Sequence, residues 1–129
     1  MKGKYNRLLY NKEMNMNYGI TTVIYPVKDL DQAKALYGKL LGIAPYADSP
    51  YYVGWKLGDM DIGLDPNGHK VGLTGPVSYY QVDDIRASLQ SLLDVGGQLL
   101  QAVRDVGGGK LIASVKDADG NIVGITQNP

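Results

Sequence analysis

Tyrosines and aspartates are the side chains in this sequence equipped for chemistry. There are ten tyrosines and one tryptophan, but no cysteine or phenylalanine, and His69 and Glu13 are the only residues of their kinds. The missing cysteine excludes thiolate catalysis, disulfides and cysteine metal sites together. Acid–base work by Asp and Tyr remains, as does recognition by stacking and by phenolic hydroxyls. Asp61 and Asp65 flank Gly63 at even spacing, so in a strand all three share one face. An inward carboxylate there could meet a cationic ligand or act as a base. Asp65 also reads as the turn residue before Pro66-Asn67-Gly68. Tyr51, Tyr52 and Trp55 alternate along a strand-like run; a stacking wall and ordinary core or interface packing both fit them. Val77 and Tyr79 share a face by the same alternation, and Tyr79 is the best single candidate for a ligand-facing hydroxyl. His69, between Gly68 and Lys70, reads as a solvated loop residue. Gly107–Gly109 invites a phosphate-loop reading, but Leu111-Ile112-Ala113 after it reads as a strand rather than a helix N-terminus.

The elements that must position these residues come in two copies. Val27-Lys28-Asp29-Leu30 opens a stretch ending at Gly42, and Val82-Asp83-Asp84-Ile85 opens another ending at Gly97, an offset of 55 residues (82 − 27). Asp29 then falls on Asp84, Leu30 on Ile85, Tyr37 on Leu92, Leu40 on Val95 and Gly42 on Gly97. A repeated module limits the possible folds and suggests one shared cleft. In the first copy, Gly19 to Tyr25 reads as a strand. Asp29 is placed to cap a helix, with Gln32 at the capping-box position. Leu30, Ala33, Tyr37, Leu40 and Leu41 form its apolar stripe, and Gly42 stops it. Tyr51–Leu57 and Asp61–Leu64 read as strands joined at Gly58-Asp59, and residues 65–75 as a linker. The second copy reads as strand Val77–Val82, cap Asp84 and a stripe of Ile85, Leu89, Leu92 and Leu93. Strands Gln98–Val103, Lys110–Val115 and Ile122–Gln127 follow.

Hydrophobic residues make up 44% of the chain and charged residues 20%, the mix of a soluble globular protein. Lys plus Arg equals Asp plus Glu. No net field therefore draws the chain to nucleic acid or to an anionic membrane. Neither an apolar run of spanning length nor a secretory h-region is present, so a cytoplasmic location is the default expectation. Residues 1–17 read as a polar N-terminal arm and residues 18–129 as one domain of two modules, 18–65 and 76–127. Met14 and Met16 are plausible initiators beside Met1. Lys12-Glu13 can be encoded by a purine-rich stretch resembling a bacterial ribosome-binding site, which makes Met16 the expected start; a genuine extension that packs on the body is the alternative.

The paired pieces Val27-Lys28-Asp29-Leu30 with Ala35-Leu36-Tyr37-Gly38-Lys39-Leu40-Leu41-Gly42, and Val82-Asp83-Asp84-Ile85 with Asp117-Ala118-Asp119-Gly120-Asn121, resemble the vicinal-oxygen-chelate superfamily. That superfamily includes glyoxalase I, extradiol dioxygenases, and fosfomycin- and bleomycin-resistance proteins. The resemblance spans roughly residues 18–127 and implies an α+β fold. Tandem βαβββ modules would form an open, cup-shaped mixed sheet with the helices outside, commonly completed by dimerisation. Metal-dependent members carry one His, Gln or Glu ligand on each of four strands. The corresponding positions here are Thr22, Gly63, Val77 and Gly124. Thr is a weak neutral ligand, and Val and Gly offer no side-chain donor, so no metal or other cofactor is expected. The closing Asp-Gly-Asn-x-x-Gly-x-x-Gln resembles a metal-free subgroup.

Gly63 and Gly124 then have two readings: backbone sites in strands, or inward positions that lost bulky ligands and left volume behind. The expected ligand-facing set is Thr22, Trp55, Asp61, Gly63, Val77, Tyr79, Gly124 and Thr126. The leading functional reading is a metal-independent, homodimeric protein resembling bleomycin-resistance members, which binds an unidentified planar or amphipathic small molecule in an aromatic-lined cup. The alternative is a metal-free isomerase or lyase using Asp and Tyr as acid and base. A dimeric scaffold with no ligand role is a third.

Overall fold

The β-branched run Ile20-Thr21-Thr22-Val23-Ile24 lies inside the first strand, β1 (Asn17–Pro26). In the computed structural model, which describes residues 15–129, helix α1 (Leu30–Leu41) follows it. Three strands then complete the first module: β2 (Ala47–Ser49), β3 (Tyr52–Leu57) and β4 (Met60–Asp65). A short 3-10 turn at Gly68–Val71 leads to the second module. This comprises β5 (Val77–Val82), α2 (Ile85–Asp94), β6 (Gln98–Asp105), β7 (Leu111–Lys116) and β8 (Ile122–Gln127). Met1 to Met14, including Glu13 and most of the expected arm, lie outside the described residues. Asn15 hydrogen-bonds the body: its side chain donates to Asp84 O at 2.8 Å and accepts from Asp84 N–H at 2.9 Å.

All eight strands join one mixed sheet in the order β2-β3-β4-β1-β5-β8-β7-β6. The two modules meet where β1 and β5 pair antiparallel, so the two-module sheet is continuous within a single chain. The internal duplication is visible in the register. Ile24 pairs with Gly63 across β1 and β4, as Tyr79 pairs with Gly124 across β5 and β8. Both pairs are parallel.

Both helices start where the sequence places them. Asp29 accepts a hydrogen bond from Gln32 N–H at 3.0 Å, and Asp84 from Ala87 N–H at 3.1 Å. Each satisfies a helix N–H that has no intrahelical partner. Gly42 ends α1 in a left-handed conformation, φ 71°, and donates to Gly38 O. The helices cover the outer face of the sheet. Leu30, Ala33, Tyr37 and Leu41 of α1 pack with Tyr25, Val53, Trp55 and Leu64. Ile85, Leu89 and Leu92 of α2 pack with Tyr80, Val82, Ala113 and Ile125. Leu40 departs from the expected stripe and is 73% exposed. The 3–4–4 spacing of the packed residues turns it away from the sheet.

Two further departures concern strands. The sequence reading missed β2, whose three residues Ala47-Asp48-Ser49 carry no hydrophobic alternation. Its pairing with Tyr52–Gly54 creates the strand. β6 runs to Asp105 rather than Val103, with register shifts on both sides of Gln101. Such shifts bend the strand and break its alternation.

Candidate functional site

The inner face of the sheet is organised in transverse rows. Successive Cα partners run Lys56, Asp61, Thr22, Tyr79, Gly124, Ser114, Gln101, one from each of seven strands. The adjacent row is Gly54, Gly63, Ile24 and Val77, without a polar side chain. A polar belt therefore crosses the cup beside an apolar one. Between the walls lies an open cavity of about 860 Å³. Tyr46, Tyr51 and Tyr52 line it from the first module, and Gln101, Arg104, Lys110 and Ile112 from the second. Thr22, Ile24, Tyr79 and Thr126 line it between them.

The paired glycines hold tyrosines against the sheet. A Cβ on Gly124 would lie 2.5 Å from Tyr79 Cδ2 and 2.7 Å from Cγ. A Cβ on Gly63 would strike the Tyr52 hydroxyl, with Cζ at 2.6 Å and Ile24 Cδ1 at 2.7 Å. Its cross-strand partner Gly54 would meet Tyr52 Cε2 at 2.7 Å and Tyr46 Cε2 at 3.2 Å. The expectation that Gly63 and Gly124 leave open volume is thereby corrected. Each is a bed for an aromatic ring, and the cavity lies beyond the rings.

Burial drives the chemistry of these phenols. It pushes the Tyr52 hydroxyl far above the ordinary tyrosine range, reinforced by neighbouring Tyr46. Tyr79 is also raised by burial; Arg104 acts against this and Asp65 with it. Both phenols stay protonated at neutral pH and are able to donate. Asp61 is held from two sides: Oδ1 lies 3.1 Å from Lys56 Nζ, off the hydrogen-bonding direction, and Oδ2 3.5 Å from Lys110 Nζ. Lys110 comes from the second module, so this ion pair spans the cup. The Asp61 carboxylate beside it raises the Lys56 pKa. Thr126 Oγ1 donates to Leu111 O at 3.1 Å. Thr22 Oγ1 is buried with no partner among the described residues.

Of the expected site residues, Thr22, Tyr79 and Thr126 line the cavity. Asp61 sits in the polar row beside Thr22. Val77 is fully buried beneath Leu73, Ile24 and Ile112 and does not reach the cavity. Trp55 is misplaced by the expectation. It is 0% exposed on the helix-covered face, and its indole N–H donates to Ile43 O at 3.1 Å. Strand parity decides this: Tyr52, Gly54 and Lys56 face inward, while Val53 and Trp55 face α1. Tyr46 escaped notice because it leads into β2, and Arg104 because the β6 register shifts hide its parity. The phrase Tyr-x-x-x-x-x-Tyr-x-Gly, from Tyr46 to Gly54, was the available signal for the first of these.

The four positions that hold metal in the resembling family are Thr22, Gly63, Val77 and Gly124, and they do not fit a metal. One offers a neutral hydroxyl, Val77 is packed, and tyrosine rings occupy the space over both glycines. No group of three His, Cys, Asp or Glu side chains suited to a metal occurs among the described residues.

No protein-family model and no curated protein matches the chain. Solved structures do. Methylmalonyl-CoA epimerase from Mycobacterium tuberculosis is 19% identical with TM-score 0.68, over 88% of this chain and 89% of that one. A glyoxalase/bleomycin resistance protein/dioxygenase superfamily member from Vibrio splendidus 12B01 is 15% identical with TM-score 0.64, over 89% and 100%. The Mn(II)-bound glyoxalase from Novosphingobium aromaticivorans is 19% identical with TM-score 0.66, over 88% of this chain and 40% of that one. At these identities the likeness establishes the fold: an open eight-stranded mixed sheet with two helices, shared with vicinal-oxygen-chelate proteins.

Proposed function

We propose that this chain is a metal-independent binding protein on the glyoxalase/bleomycin-resistance fold, holding a small planar or amphipathic molecule in its cup. The observation that carries this reading is the tyrosine-lined cavity of about 860 Å³, a size suited to a small organic ligand. Rings bedded on glycine backbones are rigid plates, and stacking on a rigid aromatic loses little conformational entropy. The failure of the four family positions to offer metal donors supports independence from metal. An isomerase or lyase mechanism fits less well. It needs a free base beside an orienting partner, whereas Asp61 has a lysine ammonium at each oxygen.

We further propose a cytoplasmic homodimer. No helix among the described residues is long and apolar enough to cross a membrane. Leu36 and Leu40 of α1 stand 62% and 73% exposed, one turn apart, and would gain from a partner. A thermal-shift screen with a panel of planar aromatic compounds, run in chelator, tests the binding reading. A ligand at about 100 times its Kd should raise the midpoint by about 10 °C. A panel without a single shift would count against the proposal.

A further inference from the structure

The cup's charged and polar groups differ sharply in how they are engaged. Asp65 Oδ1 accepts from Asn67 N–H at 2.8 Å, and Asp105 Oδ1 from Gly107 N–H at 2.7 Å, each holding its own turn. Asp61 is neutralised by Lys56 and Lys110. The two turn acids thus have a task within the chain, while Asp61 Oδ1 lies beside Lys56 without accepting a hydrogen bond. The donors are less engaged. Thr22 is 6% exposed and its hydroxyl has no partner among the described residues. The Tyr79 ring, 3% exposed, sits directly across from Thr22 in the β1–β5 register. Arg104 lines the same cavity and pairs with no carboxylate among the described residues. A buried hydroxyl without a partner, as at Thr22, is costly, whereas Arg104 is exposed and free to meet a ligand.

Resting on the binding reading above, the geometry points to a planar anion as the ligand of this cup. Its anionic oxygen, a carboxylate or phenolate, takes a hydrogen bond from Tyr79 and faces the Arg104 guanidinium. Its ring lies against Tyr46, Tyr51 and Tyr52. The oxygen meets a phenol that can donate and a cation that pairs with no carboxylate among the described residues, so its desolvation is offset by charge-assisted hydrogen bonds. A cationic ligand would find Asp61 already flanked by Lys56 and Lys110. The field at the floor agrees: Arg104 influences the Tyr79 hydroxyl more than Asp65 does.

Three shape-matched probes test this: 2-naphthoate, 2-naphthamide and 2-naphthylmethylammonium, titrated calorimetrically onto the full chain at low salt. The naphthoate should bind at least about tenfold tighter than the other two, as charge-assisted hydrogen bonds predict. Arg104→Gln should reduce naphthoate binding about tenfold and leave naphthamide within about twofold. Equal binding of all three probes, or preference for the ammonium, would overturn the anion assignment while leaving the aromatic cup intact. Naphthoate binding that Arg104→Gln does not change would also overturn it. Failure of all three to bind at millimolar concentration would bring down the anion assignment and the binding reading together.

Discussion

The Tyr79 ring lies across Gly124, its partner in the β5–β8 register, so closely that a Cβ there would come within 2.5 Å of Cδ2. Tyr79 is 3% exposed and has no room to withdraw. Gly124→Ala should therefore cost about 2 kcal/mol, the usual scale of overpacking, and Gly124→Leu more. The cost should largely vanish in a Tyr79→Ala background, which urea melts of the double-mutant cycle would reveal. An equal cost in both backgrounds would show that the ring is not what requires the glycine.

Gly63→Ala should be milder, although the geometric conflict is as close. The nearest atom there is the Tyr52 hydroxyl, at the far end of the side chain, where a small displacement of the ring relieves the conflict. Stability should fall by about 1 kcal/mol, while naphthoate affinity, which depends on the Tyr52 plate, falls more than the melt predicts. Unchanged affinity would remove Tyr52 from the binding wall.

Alkaline titration reads the buried phenols. The folded-state pKa of Tyr52 and Tyr79 is raised by burial. Their stabilisation is therefore complete below the unfolded tyrosine value near 10 and is lost as pH rises through the folded values. Near-ultraviolet tyrosinate absorbance should show one class ionising reversibly and a second ionising only as the protein unfolds. Tyr52→Phe should shrink the second class. A single reversible class at the ordinary value would contradict the buried environment.

Much of the fold was legible because its signals are local. Asp29 and Asp84 as helix caps, Gly42 as a stop, and strands Val77–Val82 and Ile122–Gln127 are written in neighbouring residues. The duplication predicted two modules, and the register of Ile24 with Gly63 and Tyr79 with Gly124 realises it. The site was harder to read, because it depends on parity and on what crosses between strands. Trp55 is one residue from facing the cup and lies wholly in the core instead. The vacancy expected over Gly63 and Gly124 is filled by rings whose contacts no local pattern reveals. Arg104 enters the cup only because β6 is shifted in register.

Metal content follows from the donor set. Elemental analysis of protein purified without chelator should find no divalent metal retained through dialysis near one equivalent per chain. Retention of a full equivalent would mean that donors other than Thr22, Gly63, Val77 and Gly124 assemble a site.

Sedimentation equilibrium at micromolar concentration should show a species of about twice the 14.0 kDa chain mass. Leu40→Glu should shift it toward monomer if α1 forms the contact. A wild-type protein that is monomeric throughout would refute the dimer.

The central claim is that an aromatic cup binds a small planar molecule without metal. It is tested most directly by titrating 2-naphthoate onto chelator-treated protein, wild type beside Val71→Trp. Val71 lines the cavity while remaining 45% exposed, so a tryptophan there projects its indole into the cup and obstructs it without disturbing the core. The account predicts saturable binding near one ligand per chain for wild type in chelator, and its loss in Val71→Trp with the urea midpoint preserved. Binding that appears only after divalent metal is added, or that Val71→Trp leaves unchanged, would contradict it.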